Sequence, residues 1–216
     1  MLNEAPGLPS LLRRLSLLKQ QGCEVLIVDG GSDDGCAEQA RQMGFRVLSS
    51  SSGRARQMNL GAAHATGQVL LFLHADTALP EGATITIQRA MRLSGSPWGR
   101  FDVVIGGTHP MLSVVAKLMN LRSRWTGIAT GDQAIFVTRE AFDAVGGFPD
   151  QPLMEDIELS RRLLKRAHPA CIADTVQTSG RRWERHGIWR TILLMWRLRW
   201  AYWRGVPADQ LAHLYR

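Results

Sequence analysis

Apolar residues follow two alternating patterns along the chain. One pattern is helical, because leucines recur three or four positions apart at Leu8, Leu11, Leu12, Leu15 and Leu18. The other is a short and almost continuously apolar run, as in residues 24–29, which stops at an aspartate followed by two glycines. A run of this kind predicts a strand buried on both faces, as the strands of parallel sheets are.

The same two patterns divide most of the remaining chain. Further strands are predicted at residues 45–48, 69–73, 101–105 and 134–137, and helices at residues 36–43, 53–65, 81–93, 111–122, 140–145, 156–165 and 187–205. Because strands and helices alternate, the sequence predicts an α/β fold with a mostly parallel central sheet, flanked by helices and followed by a helical C-terminus. We expect residues 1–216 to form a single domain.

The start of the chain departs from this alternation. Residues 1–4 resemble the loop that follows a first strand, yet no apolar run precedes them, and the first apolar element is a helix. We therefore expect the first strand of the sheet to be missing from this chain.

Charge is distributed unevenly over an otherwise ordinary composition, which is 45% hydrophobic and 21% charged. The formal net charge is +7, and residues 181–216 contribute +6 of it, because eight arginines there face two acids. The rest of the chain is nearly neutral. A neutral domain with one basic, tryptophan-rich end favours a phosphate-bearing substrate or an anionic surface over nucleic acid.

The cysteines and the N-terminus indicate the compartment. Cys23, Cys36 and Cys171 are far apart and form no CxxC pair, so we interpret them as reduced thiols. The N-terminus has no basic-then-apolar signal segment. No uncharged apolar run approaches the roughly 20 residues that cross a bilayer. We expect a cytoplasmic protein.

Two of the predicted strands lead to an aspartate. Asp29 begins the loop Asp-Gly-Gly-Ser-Asp-Asp-Gly, and Asp76 follows the run 69–73 in Leu-His-Ala-Asp-Thr. Ligands of open α/β sheets bind at the carboxyl ends of the strands, and a carboxylate such as Asp76 can reach a divalent cation there. Each aspartate also has a purely structural interpretation, as part of a strand-to-helix turn or as the cap of the following segment.

A third acidic feature is the pair Glu155-Asp156, which opens the predicted helix 156–165. The helix dipole favours acids in the first turn. A carboxylate held at a helix start also suits a general base. Spacing alone does not separate these two interpretations.

Together these segments resemble the inverting, family-two glycosyltransferases with a GT-A fold. Asn3-Glu4 resembles the end of that family's Pro-x-x-Asn-Glu motif, residues 28–35 its nucleotide loop, and Gly-Arg-Ala-Arg-Gln-Met-Asn-Leu-Gly at 53–61 its Gly-x-Ala-x-Ala-Arg-Asn-x-Gly helix. Leu-His-Ala-Asp at 73–76 stands where the family has Asp-x-Asp, and Glu155-Asp156 where it has its Glu-Asp base. The set is most similar to one bacterial subgroup whose substrate the motifs do not identify.

The resemblance implies a single displacement, in which an acceptor hydroxyl attacks the anomeric carbon of a nucleotide-diphosphate sugar, most of all a UDP-sugar. It implies Mg²⁺ or Mn²⁺ at Asp76, with His74 as a further candidate ligand, and catalysis by Asp156 with Glu155. It implies donor binding by Glu4, Asp29, Arg54, Arg56, Asn59 and Asp76. It also implies contacts with the acceptor or the diphosphate by Asp132, Gln133, Arg182 and Trp183.

Three departures from the family pattern limit what the resemblance carries over. The first strand is absent from the pattern, as noted above. Gly30 replaces the second acid of the nucleotide loop, and His74 replaces the first acid of Asp-x-Asp. Arg182-Trp183 is similar to the end of the Gln-x-x-Arg-Trp motif of processive members, but the preceding glutamine is one residue out of place, so processivity is not predicted.

The predicted helix at 187–205 carries two stripes with a seven-residue repeat. Trp189, Trp196 and Trp203 form one stripe, and three arginines, each one residue further on, form the other. Tryptophan beside arginine suits a helix that lies in a bilayer interface, which would place the protein at the inner face of the membrane. Packing of this helix against its own domain or in a homodimer is the alternative.

Two other functions fit parts of the sequence. A nucleotidyltransferase has similar needs for a sheet, a metal and a nucleotide, but the glycine- and lysine-rich phosphate loop expected near its N-terminus is absent. A non-catalytic, membrane-surface protein that binds sugar nucleotides would explain the missing first strand and the replacement of the first acid of Asp-x-Asp by His74. Donor hydrolysis or transfer with added Mn²⁺ distinguishes such a protein from an enzyme.

Overall fold

The computed structural model describes residues 1–215, except for the side chain of Arg182. The strands are β1 (Leu26–Asp29), β2 (Arg46–Ser49), β3 (Val69–Leu71), β4 (Thr77–Ala78), β5 (Trp98–Gly106), β6 (Phe136–Thr138) and β7 (Ala170–Ser179). The helices are α1 (Leu8–Gln20), α2 (Cys36–Gln42), α3 (Arg54–His64), α4 (Ala83–Ser94), α5 (Met111–Thr126), α6 (Arg139–Ala144), α7 (Glu155–Leu164), α8 (Arg181–His186), α9 (Ile188–Trp203) and α10 (Ala208–Tyr215). A 3-10 helix (Gly131–Gln133) precedes β6.

The strands form a mixed arrangement. β1 and β2 pair in parallel, and the other five strands form a sheet in the order β3-β6-β5-β7-β4. β5 and β7 are parallel, whereas β3–β6, β5–β6 and β4–β7 are antiparallel. The α/β class with a central sheet flanked by helices is confirmed, and the sheet combines parallel with antiparallel pairings. Strands buried on both faces have the same apolar runs in either direction, so the sequence pattern did not show that β6 is reversed.

The main chain of Met1 lies along the edge of β1 that faces away from β2. Its nitrogen donates to the carbonyl of Val28 at 2.6 Å, and its carbonyl accepts from the N–H of Gly30 at 2.9 Å. This is the bonding pattern of parallel strands. The next residues bond to the loop after β1, where the N–H of Ala5 donates to Asp34 at 2.7 Å. The first five residues are thereby fixed beside the carboxyl end of β1.

The longest strand, β7, was not predicted. It pairs with β5 along nearly its whole length, but a register shift interrupts the ladder between Phe101 and Asp102. Such a bulge breaks the alternation of inward and outward side chains, and three consecutive exposed residues, 173–175, follow the buried Ile172. Polar residues in the middle of the strand therefore hide the pattern that would have identified it.

Helices cover both faces of the five-stranded sheet. Neighbouring strand residues point to opposite faces, so Phe136 packs with α4 and α5 while Val137 packs with α3, α6 and α7. α1 and α2 pack on β1 through a third apolar cluster that includes Leu8, Leu12 and Phe45. The sheet is thus enclosed along its faces, and its strand ends are left to form a site.

We expect Gly99→Ala to destabilise the fold, because a Cβ at Gly99 would collide with the carbonyl oxygen of Ala170 and the ring of Phe136. Overpacking of a core typically costs about 1–3 kcal/mol in the free energy of unfolding. Gly67→Ala is the matched control, because its Cβ would meet no atom closer than 3.6 Å. Urea denaturation measures both variants, and equal stability would contradict the packing of β5 against β7.

Candidate active site

A cleft of about 1500 Å³ opens at the carboxyl ends of β3 and β7. Its walls come from the first residues of the chain, the start of α3, the loop between β3 and β4, the 3-10 helix, the start of α7, and helices α5, α8, α9 and α10. Many separate segments meet here, as expected for a ligand site at the strand ends of an α/β sheet.

Carboxylates from four separate segments meet in this cleft. Glu4, Asp76, Asp132 and Asp156 line it, and Glu155 is buried next to Asp156. Burial raises the pKa of Asp76, and the nearby charges of Asp132 and Glu4 raise it further, while His74 offsets part of the effect. Burial and the charge of Asp156 also raise the pKa of Glu155. Most of the acids predicted from sequence are therefore brought together.

His74 lies beside Asp132. Its Nδ1 is 3.6 Å from an oxygen of the Asp132 carboxylate, and its ring packs so closely on Gly131 that a Cβ there would collide with it. Asp132 is half-exposed, and enclosure by the cleft walls acts to raise its pKa, but His74 prevails and the pKa is lowered. His74 therefore supports the ionised form of Asp132.

Asp156 is fixed by two backbone N–H groups. One oxygen of its carboxylate accepts from Gly131 at 2.8 Å, and the other accepts from Ile157 at 2.7 Å. A carboxylate has further lone pairs, so Asp156 keeps acceptor capacity toward the cleft. Its position ties the start of α7 to the 3-10 helix.

Backbone strain accompanies the segments that carry the acids. Among the described residues, the non-glycine positions with positive φ are Asn3 (53°), Ala134 (48°) and Met154 (65°). They lie directly before Glu4, directly after the 3-10 helix and directly before Glu155. Such conformations cost about 1–3 kcal/mol each and cluster at functional sites. The strain helps to aim these short segments at the cleft.

Arg54 and Arg56 lie two residues apart on α3, point to different sides of the helix and have different partners. Nη1 of Arg54 is 3.6 Å from Oε1 of Glu155, and its side chain is 46% exposed while that of Glu155 is 3% exposed. Burial acts against the charge of Arg54, but Glu155, Tyr215 and Asp156 together outweigh it and the pKa of Arg54 is raised. Arg56 instead pairs with Asp150 at 2.8 Å, and it is not among the residues that line the cleft.

Two residues predicted to bind the donor use their polar groups within the fold. The Asp29 carboxylate accepts from the N–H groups of Gly31 and Ser32, both at 3.1 Å, and from the Ser32 hydroxyl at 2.5 Å. Asn59 donates to the carbonyl of Phe148 at 2.8 Å and accepts from its N–H at 3.0 Å. Neither is among the residues that line the cleft. The geometry therefore favours the strand-to-helix turn interpretation of the Asp29 loop.

The remaining predicted residues divide between the core, the cleft wall and the undescribed part of the chain. Gln133 is fully buried and caps the 3-10 helix by accepting from the N–H of Thr130 at 3.2 Å. Trp183 lines the cleft and packs on the core beneath it. The side chain of Arg182 lies outside the described residues.

Asp76 is the described carboxylate that fits a cation best. It faces the cleft without an ion-pair partner within the described residues, whereas Glu4 pairs with Arg181 at 2.9 Å. No group of three or more His, Cys, Asp or Glu side chains in the described chain is arranged to hold a metal ion. Mg²⁺ keeps several waters and is commonly bound through one or two carboxylates plus substrate phosphates. The single carboxylate of Asp76 suits a cation that is shared with substrate phosphates, and not a cation held by protein ligands alone.

The family follows from comparison with known sequences. Residues 1–140 match the model of "Glycosyl transferase family 2". The chain belongs to glycosyl transferase family 2. A search of curated proteins finds no match.

Comparison with solved structures shows the fold of this family 2 chain. Mannosyltransferase PcManGT from Pyrobaculum calidifontis, in complex with GDP-Man and Mn²⁺, has a TM-score of 0.63 and 20% identity, over 100% of this chain and 66% of that chain. S. aureus TarS 1-349 in complex with UDP has a TM-score of 0.64 and 17% identity, over 83% and 58%. Glucosyl-3-phosphoglycerate synthase from Mycobacterium tuberculosis, in complex with Mn²⁺, UDP and glucosyl-3-phosphoglycerate, has a TM-score of 0.56 and 17% identity, over 83% and 67%. The GT-A fold is confirmed, and the chain spans 58–66% of the length of PcManGT and TarS 1-349.

Two arginines of the family 2 cleft were missed from the sequence. Arg122 of α5 and Arg199 of α9 line it, and the Nε and Nη2 of Arg122 and the Nε of Arg199 are buried without hydrogen-bond partners in the described chain. Burial and the charge of Arg199 lower the pKa of Arg122 to about 9. A signal was present, because each arginine continues a core-facing stripe at helical spacing: Leu112, Val115, Met119 and Arg122, and Ile188, Ile192, Met195 and Arg199.

α9 packs on the domain along one side and faces outward along the other. Ile188 and Leu198 are buried, whereas Trp189, Trp196 and Trp203 are 66%, 70% and 81% exposed. The aliphatic side of α9 therefore packs within the domain, whereas the tryptophan stripe does not. In the described part of the chain, no helix combines the length and apolar character needed to cross a membrane.

We expect Glu155→Gln to stabilise the fold at neutral pH. The pKa of Glu155 is raised, so the folded state binds its proton more tightly than the unfolded chain does. The stability from this group is present in acid and is lost as pH rises from its usual pKa of 4.5 through the raised value. The advantage of the glutamine should grow to about 1 kcal/mol or more between acid and neutral pH.

Thermal unfolding from pH 4 to pH 7.5 measures this effect. Glu158→Gln is the control, because Glu158 lies on the same helix and pairs with Arg161 and Arg162 near the surface. Its stability should change by about 0.5 kcal/mol or less, without the same dependence on pH. A Glu155→Gln variant that is less stable than the parent at neutral pH would show that Glu155 is held as a fully compensated carboxylate.

Proposed function

We propose that this protein is an inverting glycosyltransferase that moves a sugar from a nucleotide-diphosphate donor to an acceptor hydroxyl. The observation that carries the proposal is the convergence of Asp76, Asp132 and Asp156 in one cleft of a family 2 chain. The related structures of PcManGT and TarS contain GDP-Man and UDP, which supports a nucleotide-linked donor. The family match gives no support to a nucleotidyltransferase.

The donor diphosphate is proposed to lie between Asp76 and Arg54. A guanidinium matches phosphate oxygens well, and that of Arg54 is half-exposed at the start of α3. Mg²⁺ or Mn²⁺, held by Asp76, supplies positive charge that offsets the charge developing on the diphosphate. The solved structures of PcManGT and of glucosyl-3-phosphoglycerate synthase are both complexes with Mn²⁺. We propose a UDP-sugar as the donor, with the nucleotide near Glu4.

Asp156 is proposed to accept the proton of the acceptor hydroxyl. Its two backbone hydrogen bonds hold the carboxylate in one orientation, so a hydroxyl that approaches through the cleft meets a fixed acceptor. Glu155 is buried against Arg54 and acts as a positioning residue for that arginine. Asp132, kept ionised by His74, and Trp183 are proposed to shape the acceptor wall.

We expect Asp156→Asn to lower the turnover number by about 10²- to 10⁴-fold, the usual contribution of a general base. The affinity for UDP with Mn²⁺ should stay within about twofold, because Asp156 is proposed to touch the acceptor and not the donor. Asp76→Asn should instead weaken the Mn²⁺-dependent binding of UDP. Release of UDP from a UDP-sugar measures turnover, and calorimetry measures binding.

Asp174→Asn on β7 is the control, since Asp174 is exposed and does not line the cleft. Full activity of Asp156→Asn would remove Asp156 as the base. A parent protein that binds nucleotide sugars but releases no nucleotide from any of them with Mn²⁺ would favour the non-catalytic binding protein.

We also propose that α5 and α9 bind the surface of an anionic membrane at the cytoplasmic side. Trp125 of α5 is 89% exposed, and it adds to the exposed tryptophans of α9. Neither helix contains an acidic residue, and both contain arginine. Aromatic and basic side chains together suit a helix that lies in the interface of an anionic bilayer.

We expect the double variant Trp196→Ser, Trp203→Ser to lose most of its binding to anionic vesicles, because it removes apolar side chains from the interface. Co-sedimentation with phosphatidylglycerol vesicles measures this, and binding of the parent should fall as salt is raised. Leu93→Ser on α4 is the control, because Leu93 is exposed but does not line the cleft. A parent protein that ignores the vesicles and forms a dimer, which the double variant dissociates, would establish a homodimer instead.

A further inference from the structure

We propose that Arg122 and Arg199 form a second anion site in the cleft, which binds a phosphate group on the acceptor. This inference rests on the proposed sugar transfer and names the chemical class of its acceptor. The site is separate from the donor diphosphate, which is proposed to lie between Arg54 and Asp76.

Parts of both guanidiniums are buried without hydrogen-bond partners. The Nε and Nη2 atoms of Arg122 and the Nε atom of Arg199 are shielded from solvent and form no hydrogen bond with the described residues. Neither arginine forms an ion pair with a described acid within 4.0 Å, the limit for the ion pairs found elsewhere in the chain. Unpaired buried charges destabilise a fold, and buried polar groups without partners require an explanation such as a missing ligand.

Three other arginines that are buried or line the cleft pair with carboxylates of the fold. Arg54 pairs with Glu155, and Arg181 pairs with Glu4. Arg100, which is completely buried under α5, pairs with Asp102. The fold therefore supplies carboxylates for these three arginines but, among the described residues, no ion-pair partner for Arg122 and Arg199.

The charges around the pair put it on the acceptor side of the cleft. Both guanidiniums are attracted by Asp156 and Asp132, while Asp76 interacts mainly with His74, Asp132 and Glu4. Burial, and then repulsion by Arg199, lower the pKa of Arg122, and an anion between the two arginines would relieve the repulsion. An acceptor whose phosphate lies there would have its neighbouring hydroxyl near Asp156.

Phosphate fits this pair better than a carboxylate does. Arginine forms bidentate hydrogen bonds to phosphate oxygens, and two guanidiniums match the charge of a phosphate monoester. The neighbouring carboxylates of Asp132 and Asp156 would repel an anion, so a ligand here needs both cations. The phosphate can come from a soluble phosphate monoester or from a lipid headgroup, because α5 and α9 also expose their apolar sides.

The test measures binding of phenyl phosphate by calorimetry, with UDP and Mg²⁺ already saturating. We expect one equivalent to bind the parent protein, and we expect Arg122→Gln and Arg199→Gln each to weaken that binding by about tenfold or more. Their affinity for UDP should stay within about twofold. Arg166→Gln, at an exposed arginine after α7 that does not line the cleft, should change neither affinity.

Thermal unfolding in phosphate-free buffer separates a ligand site from a structural role. Arg122→Met and Arg199→Met should unfold at the same or a higher temperature than the parent, because each removes an unpaired buried charge. A lower unfolding temperature for both variants, with unchanged phosphate binding in the glutamine variants, would overturn the inference.

Vesicles separate the two sources of phosphate. A lipid phosphate is supported if the protein binds phosphatidylcholine vesicles that contain phosphatidic acid more tightly than it binds phenyl phosphate, and if Arg122→Gln loses this binding. Equal affinity for the two supports a soluble acceptor. Competition between phenyl phosphate and UDP would assign both arginines to the donor and overturn the second site, while leaving the proposed transfer intact. Binding of phenyl phosphate without any binding of UDP would contradict the proposed transfer and leave the anion site standing.

Discussion

Asp76, Asp132 and Asp156 reach one cleft from three separate segments, and the repulsion between their charges is the constraint to which the rest of the site responds. Neighbouring cations relieve two of the acids in and around the cleft. His74 lies beside Asp132, and Arg54 lies against the buried Glu155. Asp76 has no ion-pair partner in the described chain, and burial together with the charges of Asp132 and Glu4 raises its pKa. The pairing therefore leaves Asp76 as the acid that a cation would stabilise most.

The fold was predictable where apolar runs are uninterrupted. β1 and the helices α1, α3, α5 and α9 lie within a few residues of their predicted positions, because each buries a continuous face whose period is visible in the sequence. β7 was not predictable, since the bulge opposite Asp102 breaks its alternation. Strand direction was not predictable either, because it depends on which edges meet in space and not on the local pattern.

The site was predictable for acids and much less so for the residues around them. Of the two aspartates that follow predicted strands, Asp76 lies in the cleft, as ligand sites at strand ends lead one to expect. Asp29 shows the limit of that argument, since its carboxylate accepts three hydrogen bonds from its own turn at Gly31 and Ser32 and does not line the cleft. A resemblance between motifs does not reveal whether a carboxylate bonds to its own turn or is left for a ligand. Arg122 and Arg199 were missed because arginine on a helix is normally exposed, although their spacing places them on core-facing stripes.

α5 and α9 combine two features that folding alone does not favour. An amphipathic helix normally buries apolar side chains and exposes its charges, yet here Arg122 and Arg199 line the cleft while Trp125 and Trp203 remain outside it. Both exceptions lower the stability of the isolated chain, the first by stranding charge and the second by exposing apolar surface. They occur on the same two helices, and these helices border the same cleft. A ligand with an anionic group, bound beneath helices that rest on a membrane surface, accounts for both with one arrangement.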